Sequence, residues 1–473
     1  MNKHYNWIVT NRCLSEKRPI DSEAETRTLV VENERDVNDF ELPAASRDYD
    51  AQFYHLYEHR LKTMRERVRN ECFDKWDDDF KLNGKPVVMK QKVLDIHAGQ
   101  PCWAIGSIYC EMKYKPNVLE EVINDTYAAP DLTKSYTDAE GTDEIMLEDE
   151  SGRVLLVGDY IKKTPFVTGT VIGVLGMEAE AGTFQVLDIC YPTPLPQAPF
   201  PKAVQNNVKI ALISGLGIDT KSPGRLLRVQ LLQDLLLGRM SIGEQISNIG
   251  KLVILGNSVD AAVGEDGPGV MINCLEEFGK FLNNVLQSIP VDLMPGPKDP
   301  SDKSLPQQPL HKALFKDSLT PYFQEANKKI LKMVTNPYKF NIEGLDILAV
   351  AGQNIDDICK YVIPYQTNGH DYKMEDTVNH RLDLMECTIR WQTLAPTAPD
   401  TLWTYPYKED DPFILNEWPH VYIAGNQPNF GTRDLNMKGK KVKLISLPEF
   451  SSTGSITLLD LKTLDTDIIN IEI

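Results

Sequence analysis

No two of the eight cysteines form a C-x-x-C pair; Cys13, Cys72, Cys102, Cys110, Cys190, Cys274, Cys359 and Cys387 are scattered along the chain. That spacing excludes a zinc ribbon and argues against a disulfide framework. Most of them sit in apolar strings such as Asp188-Ile189-Cys190 and Ile358-Cys359, where cysteine acts as a small hydrophobe, so a reducing compartment is expected. No stretch approaches the ~20 consecutive apolar residues of a membrane span. The first thirty residues also lack a positive start followed by an apolar run, and the chain reads as soluble and not secreted. A basic excess is missing too: 50 Lys+Arg face 68 Asp+Glu, a formal net charge of −18. Affinity for nucleic acid comes mainly from Lys/Arg displacing counterions, so little direct DNA affinity is expected.

What remains is ordinary globular composition over 473 residues, 42% hydrophobic and 25% charged, enough for two or three domains. A chain of this size buries enough surface to fold without disulfides or a structural metal. Residues 1–50 hold 11 Asp/Glu and 7 Lys/Arg and show no sustained apolar period before Phe40, which reads as a flexible acidic tail. Phe53, Leu56, Tyr57, Leu61, Met64 and Val68 then recur at helical spacing. Arg60, Lys62, Arg65, Arg67 and Arg69 fill the other positions and are expected to form a solvated face.

From about residue 85 short β-type runs take over: 86–89, 102–105, 145–147, 154–157, 166–175 and 183–189. Two connections, Glu150-Ser151-Gly152-Arg153 and Glu180-Ala181-Gly182, place glycine where a hairpin needs positive φ. This pattern predicts an OB-type β-barrel with a leading helix over 51–191. Such barrels bind single strands through basic grooves. Residues 51–200, however, carry 16 Lys/Arg and 24 Asp/Glu, which favours docking of protein. Pro192, Pro194, Pro196, Pro199 and Pro201 then make 192–204 a stiff linker.

Over 205–473 the period alternates. Strands are expected at 208–213, 252–255, 291–294, 345–350, 421–424, 442–447 and 456–461. Helices are expected at 223–237, at 271–286 and through Arg381–Met385. This is a layered α/β domain, whose functional loops cluster at the carboxyl ends of strands. Those loops read Ile213-Ser214-Gly215-Leu216-Gly217, Leu255-Gly256-Asn257-Ser258-Val259-Asp260, Met294-Pro295-Gly296-Pro297-Lys298-Asp299 and Ala424-Gly425-Asn426-Gln427-Pro428.

Their order and spacing resemble the calcineurin-like metallophosphoesterases, whose pattern is D-x-H, G-D-x-x-D, G-N-H-[DE], a lone His and G-H-x-H. The glycines are kept and the ligands are not. Ser214 and Leu216 stand for Asp and His, Asn257 for the bridging Asp, Pro297 and Lys298 for Asn and His, and Asn426 and Pro428 for the last two histidines. Asp260 and Asp299 survive. A two-metal hydrolase needs hard carboxylates and imidazoles around both ions. A cationic Lys298 and an apolar Leu216 are incompatible with that, so no metal, no cofactor and no catalytic residue is expected. His311, His370, His380 and His420 read as surface or structural histidines. Lys438, Lys440, Lys441 and Lys443 read as a solvated turn rather than an import signal or phosphate contact.

An OB barrel followed by a ligand-stripped phosphoesterase domain resembles the B subunits of replicative B-family DNA polymerases. The strings Val291-Asp292-Leu293-Met294-Pro295-Gly296, 299–311, Val334-Thr335-Asn336-Pro337-Tyr338 and 395–402 are similar to the small-subunit family of DNA polymerase delta, in particular its fungal members. The resemblance implies a nuclear, non-catalytic scaffold that serves replication and repair. It would hold the cysteine-rich C-terminal domain of the catalytic subunit and a third accessory subunit, and through the latter the sliding clamp. It also implies sharing with the catalytic subunit of translesion polymerase zeta. Trp103, Tyr109, Trp391, Trp403 and Phe430 are candidate partner anchors, each of which core packing would equally explain. The competing readings are an active metallophosphodiesterase, which would carry Mn, Fe or Zn, and a stand-alone single-strand-binding module.

Overall fold

The computed structural model describes residues 6–9, 30–33, 40–76, 79–116, 133–138, 140–179, 182–202, 208–240, 246–260, 268–324, 327, 329–364 and 376–473. After a helix α1 (Tyr54–Lys75) comes a six-stranded barrel in the order Val88–Met89, Cys102–Glu111, Glu144–Glu148, Arg153–Val157, Phe184–Cys190, Val171–Glu178. It closes because Cys102–Glu111 also pairs antiparallel with Val171–Glu178, which leaves those two strands without a free edge. Strand alternation puts Cys102, Ala104, Ile108, Leu147, Val174 and Phe184 inside. The expected run from Phe166 starts as a strand only at Val171, because Gly169 at φ 90 turns the chain first.

One turn is held differently from expectation. Gly152 does not take positive φ; the Asp149 carboxylate accepts from Ser151 N at 2.8 Å and Gly152 N at 3.2 Å, closing an Asx-type turn. Gly182 does take φ 75, while Glu180 and Ala181 lie outside the described residues.

Helix α1 buries Leu56, Arg60, Met64, Val68 and Cys72, a line of i, i+4 steps along one side. Against the barrel, Trp103 meets Phe73 and Trp76. Of the five basic residues expected to face solvent, Lys62 does and three do not. Arg60 is buried, Arg65 pairs with Glu150, and Arg67 donates to Leu415 O at 2.6 Å in the C-terminal domain.

The proline segment is extended and stitched down along its length. Trp418 N donates to Pro196 O at 2.9 Å, Gln392 Nε2 to Thr193 O at 2.7 Å, and Leu195 is buried with the core around Trp391.

The C-terminal domain packs two sheets face to face. One runs Asn6–Val9, Thr466–Ile471, Ser455–Asp460, Lys209–Ile213, Ile249–Leu255, Val291–Met294, Leu331–Met333; the other runs Gly431–Met437, Lys440–Pro448, Val421–Gln427, Leu345–Val350, Tyr338–Ile342, Glu32–Asn33. Leu212, Val253 and Met294 meet Ile347, Ile423 and Ile445 between them. Helices α2 (Pro223–Leu236) and α3 (Pro268–Val285) cover the first sheet, and α4 (Gln353–Tyr361) and α5 (Val378–Trp391) cover the second.

Two strands come from the stretch read as a tail. Asn6–Val9 pairs parallel with Thr466–Ile471, and Glu32–Asn33 pairs antiparallel with Asn341–Ile342. Phe40 is buried in the second sheet's outer core. Where they are described, residues 1–50 are therefore part of the domain, because a sheet edge and a buried pocket supply partners that the segment's own pattern does not announce.

Candidate functional site

The central strands of each sheet run parallel, so their carboxyl ends deliver five glycine-bearing loops to one place. The loops touch. A Cβ on Gly256 would stand 2.7 Å from Gly296 Cα, and one on Gly352 2.1 Å from Gly425 O. Gly215 N donates to Gly256 O at 2.9 Å and Gly217 N to Asn257 O at 3.0 Å. Glycine is required here by backbone approach alone.

The side chains at the ligand positions are engaged with one another. Ser214 Oγ donates to Pro448 O at 3.0 Å and accepts from Asn426 N at 3.0 Å. Leu216 is in the core beneath α2. Asn257 and Asn426 both take left-handed backbone, φ 52 and φ 56, which asparagine tolerates best after glycine. Asn257 Oδ1 accepts from Lys298 N at 3.0 Å, and Asn426 Nδ2 donates to Leu255 O at 2.9 Å and Ala351 O at 2.8 Å, bridging the two sheets. The Lys298 ammonium pairs with Glu449 at 3.1 Å, and Pro428 is exposed.

The two surviving carboxylates are engaged elsewhere. Asp260 pairs with Arg225 on α2 at 2.8 Å. Asp299 is buried and accepts from Ser258 N at 2.8 Å, Gly296 N at 2.8 Å and Val259 N at 3.2 Å. Burial pushes its carboxyl up to about 6, against the pull of those N–H groups. Among the described residues no three His, Cys, Asp or Glu side chains gather as a metal would need.

The fifth loop, Ala351-Gly352-Gln353, stands outside the four motifs read from the sequence, although it too is a glycine turn closing a strand. With it comes a buried amide cluster. Asn336 Nδ2 donates to Gln307 Oε1 at 2.8 Å, Gln353 Nε2 to the same oxygen at 2.7 Å, and Gln307 Nε2 to Gly296 O at 3.2 Å. Single amides carry no spacing signal that would mark them.

His420 is a satisfied structural histidine: Nδ1 accepts from Asp346 N and Nε2 faces Ala198 O, both at 2.9 Å. His380 is buried on α5, where burial and then the Arg381 charge bring its pKa down to about 4. His311 Nδ1 accepts from Ala313 N, and His370 lies outside the described residues. The lysine cluster is more engaged than a solvated turn. Lys438 and Gly439 form a two-residue hairpin loop at φ 45 and φ 82, Lys438 pairs with Glu71 on α1, and Lys440 donates to Leu195 O.

Of the candidate anchors, Trp103 and Trp391 are core residues, 2% and 1% exposed, and present nothing to a partner. Phe430 packs against the core between the sheets. Trp403 is 45% exposed. Tyr109 is half-buried in a groove of about 670 Å³ between α1, the barrel and Asp400 of the C-terminal domain, with the Arg153 guanidinium 3.8 Å above its ring.

Comparison with known proteins agrees with this two-part architecture. The family model of the DNA polymerase delta subunit OB-fold domain matches residues 52–189, and the B-subunit family model of DNA polymerases alpha and epsilon matches 210–432. The DNA polymerase delta small subunit of Saccharomyces cerevisiae is 59% identical over 470 residues, covering 96% of each chain. Its counterpart from Oryza sativa subsp. japonica is 34% identical, covering 88% of this chain and 91% of the relative. DNA polymerase delta subunit 2 of Drosophila melanogaster is 32% identical over 90% and 94%. On identity and coverage together, the chain belongs to the family of DNA polymerase delta small subunits.

Proposed function

We propose that this accessory, non-catalytic chain is the scaffold of a DNA polymerase delta complex. It holds the cysteine-rich C-terminal domain of the catalytic subunit and a third accessory subunit, and so links the polymerase to its sliding clamp during nuclear replication and repair. The same scaffold serves the catalytic subunit of polymerase zeta. The observation that carries the reading is the 59% identity across 96% of both chains to a delta small subunit, which leaves neither domain unaccounted for. We infer further that the strand-end site does not hydrolyse phosphodiesters. Ser214, Asn257 and Asn426 are committed to the backbone of neighbouring loops, and Lys298 brings positive charge where a dinuclear site would need anions.

The test is affinity purification of the tagged full chain from its own cells at moderately high salt, with mass spectrometry of bound proteins and metal analysis of the eluate. Catalytic chains of both polymerases, each in near-equal amount to the scaffold bound to it, are expected. A chain recovered alone, or one carrying stoichiometric Mn, Fe or Zn with turnover of an activated phosphodiester, overturns the reading.

A further inference from the structure

We propose that Cys72 and Cys190 form a redox-closable staple between α1 and the barrel: a small disulfide of the glutathione class oxidises the two thiols to an internal disulfide, which locks the end of the helix onto the strand that precedes the proline segment. Both residues are buried, at 0% and 2% exposure.

A missing side chain brings them together. Gly173 stands opposite Cys190 in the register of Val171–Glu178 against Phe184–Cys190. A Cβ on Gly173 would meet Cys72 Sγ at 2.5 Å and Cys190 Cβ at 3.4 Å. Cys72 therefore fills the space that a side chain on the strand would take, and comes down beside Cys190 in one core cluster. The helix end is held in place there. Lys75 Nζ donates to Asp188 Oδ1 at 2.8 Å and to Ile189 O at 2.9 Å, and Trp76 Nε1 donates to Asp188 Oδ2 at 3.0 Å. The residues that end α1 after Cys72 thus grip the two residues just before Cys190, which keeps the pair in register without a covalent bond. Hydrogen bonding to Cys190, and then burial, push the Cys72 thiol well above its ordinary range. The closed fold consequently rests as the dithiol, the form a reducing compartment maintains.

Oxidation needs a thiolate within reach of the oxidant, which local opening of the last turn of α1 supplies. Cys72 loses its proton to water and attacks the small disulfide, forming one S–S bond and releasing one small thiolate. When the turn closes, Cys190 loses its proton and attacks the Cys72 sulfur, forming the internal bond and releasing the second small thiolate. Two protein thiols are oxidised, the small disulfide is reduced to two thiols, and the two protons pass through water to the released sulfurs. Arg60 and Arg67 of the same helix hold the C-terminal domain, so the closed staple fixes the helix on both sides.

The experiment incubates the full chain, purified reduced, with oxidised glutathione at about pH 8, near the ordinary thiol pKa. Remaining thiols are then alkylated and the peptides mapped by mass spectrometry without reduction, with Cys72→Ala and Cys190→Ala in parallel. Cys102, Cys110, Cys274, Cys359 and Cys387, also free and buried, are the internal controls. The expected result is a peptide pair linking Cys72 to Cys190, absent from both variants, with a rise in melting temperature of roughly 5 °C that dithiothreitol reverses. Free thiols at both positions, glutathione adducts that never progress to the internal bond, or a link that forms only in urea overturns the staple. A link that leaves the melting temperature unchanged overturns the lock. The map of the unaltered chain is decisive even where a variant fails to fold.

Discussion

Arg60 and Asp411 meet at 2.7 Å with side chains 1% and 0% exposed, and Arg60 Nη1 also donates to Pro396 O at 2.7 Å. Removing one partner of a buried ion pair strands the other without water, which costs about 3–5 kcal/mol. Arg60→Leu is therefore expected to lower unfolding stability in urea by about that much. Arg60→Lys should recover little of it, because a single ammonium cannot serve both Asp411 and the Pro396 carbonyl. The double variant Arg60→Leu/Asp411→Leu should be less damaged than Arg60→Leu alone, and additive losses would refute the account. His380 makes a second prediction, in pH. Its folded pKa is lowered to about 4 from an ordinary value of 6.5, so the unfolded chain takes up a proton that the fold refuses. Its contribution is intact above the unfolded pKa and is lost as pH falls toward 4, about 2 kcal/mol between pH 7 and pH 5. Asp299 and Asp357, both raised to about 6, act oppositely and favour the fold at the acid end of the same window. The His380→Gln variant should therefore gain stability relative to the parent on acidification, read from urea midpoints at pH 7 and pH 5. Parallel curves would remove His380 from the account.

At the scale of elements, Glu32 is the one side chain by which a two-residue edge strand reaches a buried charge. Lys251 is 1% exposed, bonds Asp292 at 2.7 and 2.8 Å, and pairs also with Glu32, which holds Lys332 as well. Tyr338 donates to Asp292 at 3.0 Å, completing the network. Without Glu32 the buried ammonium keeps a single carboxylate. Deleting residues 1–39 is expected to cost roughly 1–3 kcal/mol, the loss typical of a charged buried group left short of partners. Glu32→Ala should account for most of that loss; a thermal melt unchanged by either would return the segment to the status of a tail. This element also shows why some of the fold was legible and some was not. Residues 252–255 and 421–424 are unbroken apolar runs within buried strands, and pattern alone finds them. Glu32–Asn33 and Leu331–Met333 are short edge strands whose pairing is decided by a neighbour distant in sequence, and Gly431–Met437 is a largely polar edge strand that the apolar pattern does not mark. The strand-end loops were legible because close backbone approach demands glycine. Gln307, Asn336 and Gln353 were not, because amides serve equally well on a surface.

Across the whole molecule the two domains read from the sequence share one junction, and the proline segment lies along it. Arg60 and Arg67 of α1 reach carbonyls of the C-terminal domain, Lys115 of the barrel pairs with Asp400 at 2.5 Å, and Lys438 returns to Glu71. The tightest point is Gly169. Its φ is 90, and a Cβ there would stand 2.0 Å from Pro396 O and 2.9 Å from Arg60 Nη1, with backbone that cannot yield on the first side. Calorimetry of the intact chain is therefore expected to show one transition, since the barrel cannot melt without exposing the Arg60 pair. Gly169→Ala forces the halves apart and should split the trace, with α1 and the barrel unfolding first. Gly439→Ala is the matched control. It also sits at positive φ, 82, but its Cβ would meet nothing within 4 Å, so it incurs only backbone strain of about 1–2 kcal/mol and keeps a single transition. Two transitions in the unaltered chain, or one unshifted transition in Gly169→Ala, would mean that the domains are merely tethered.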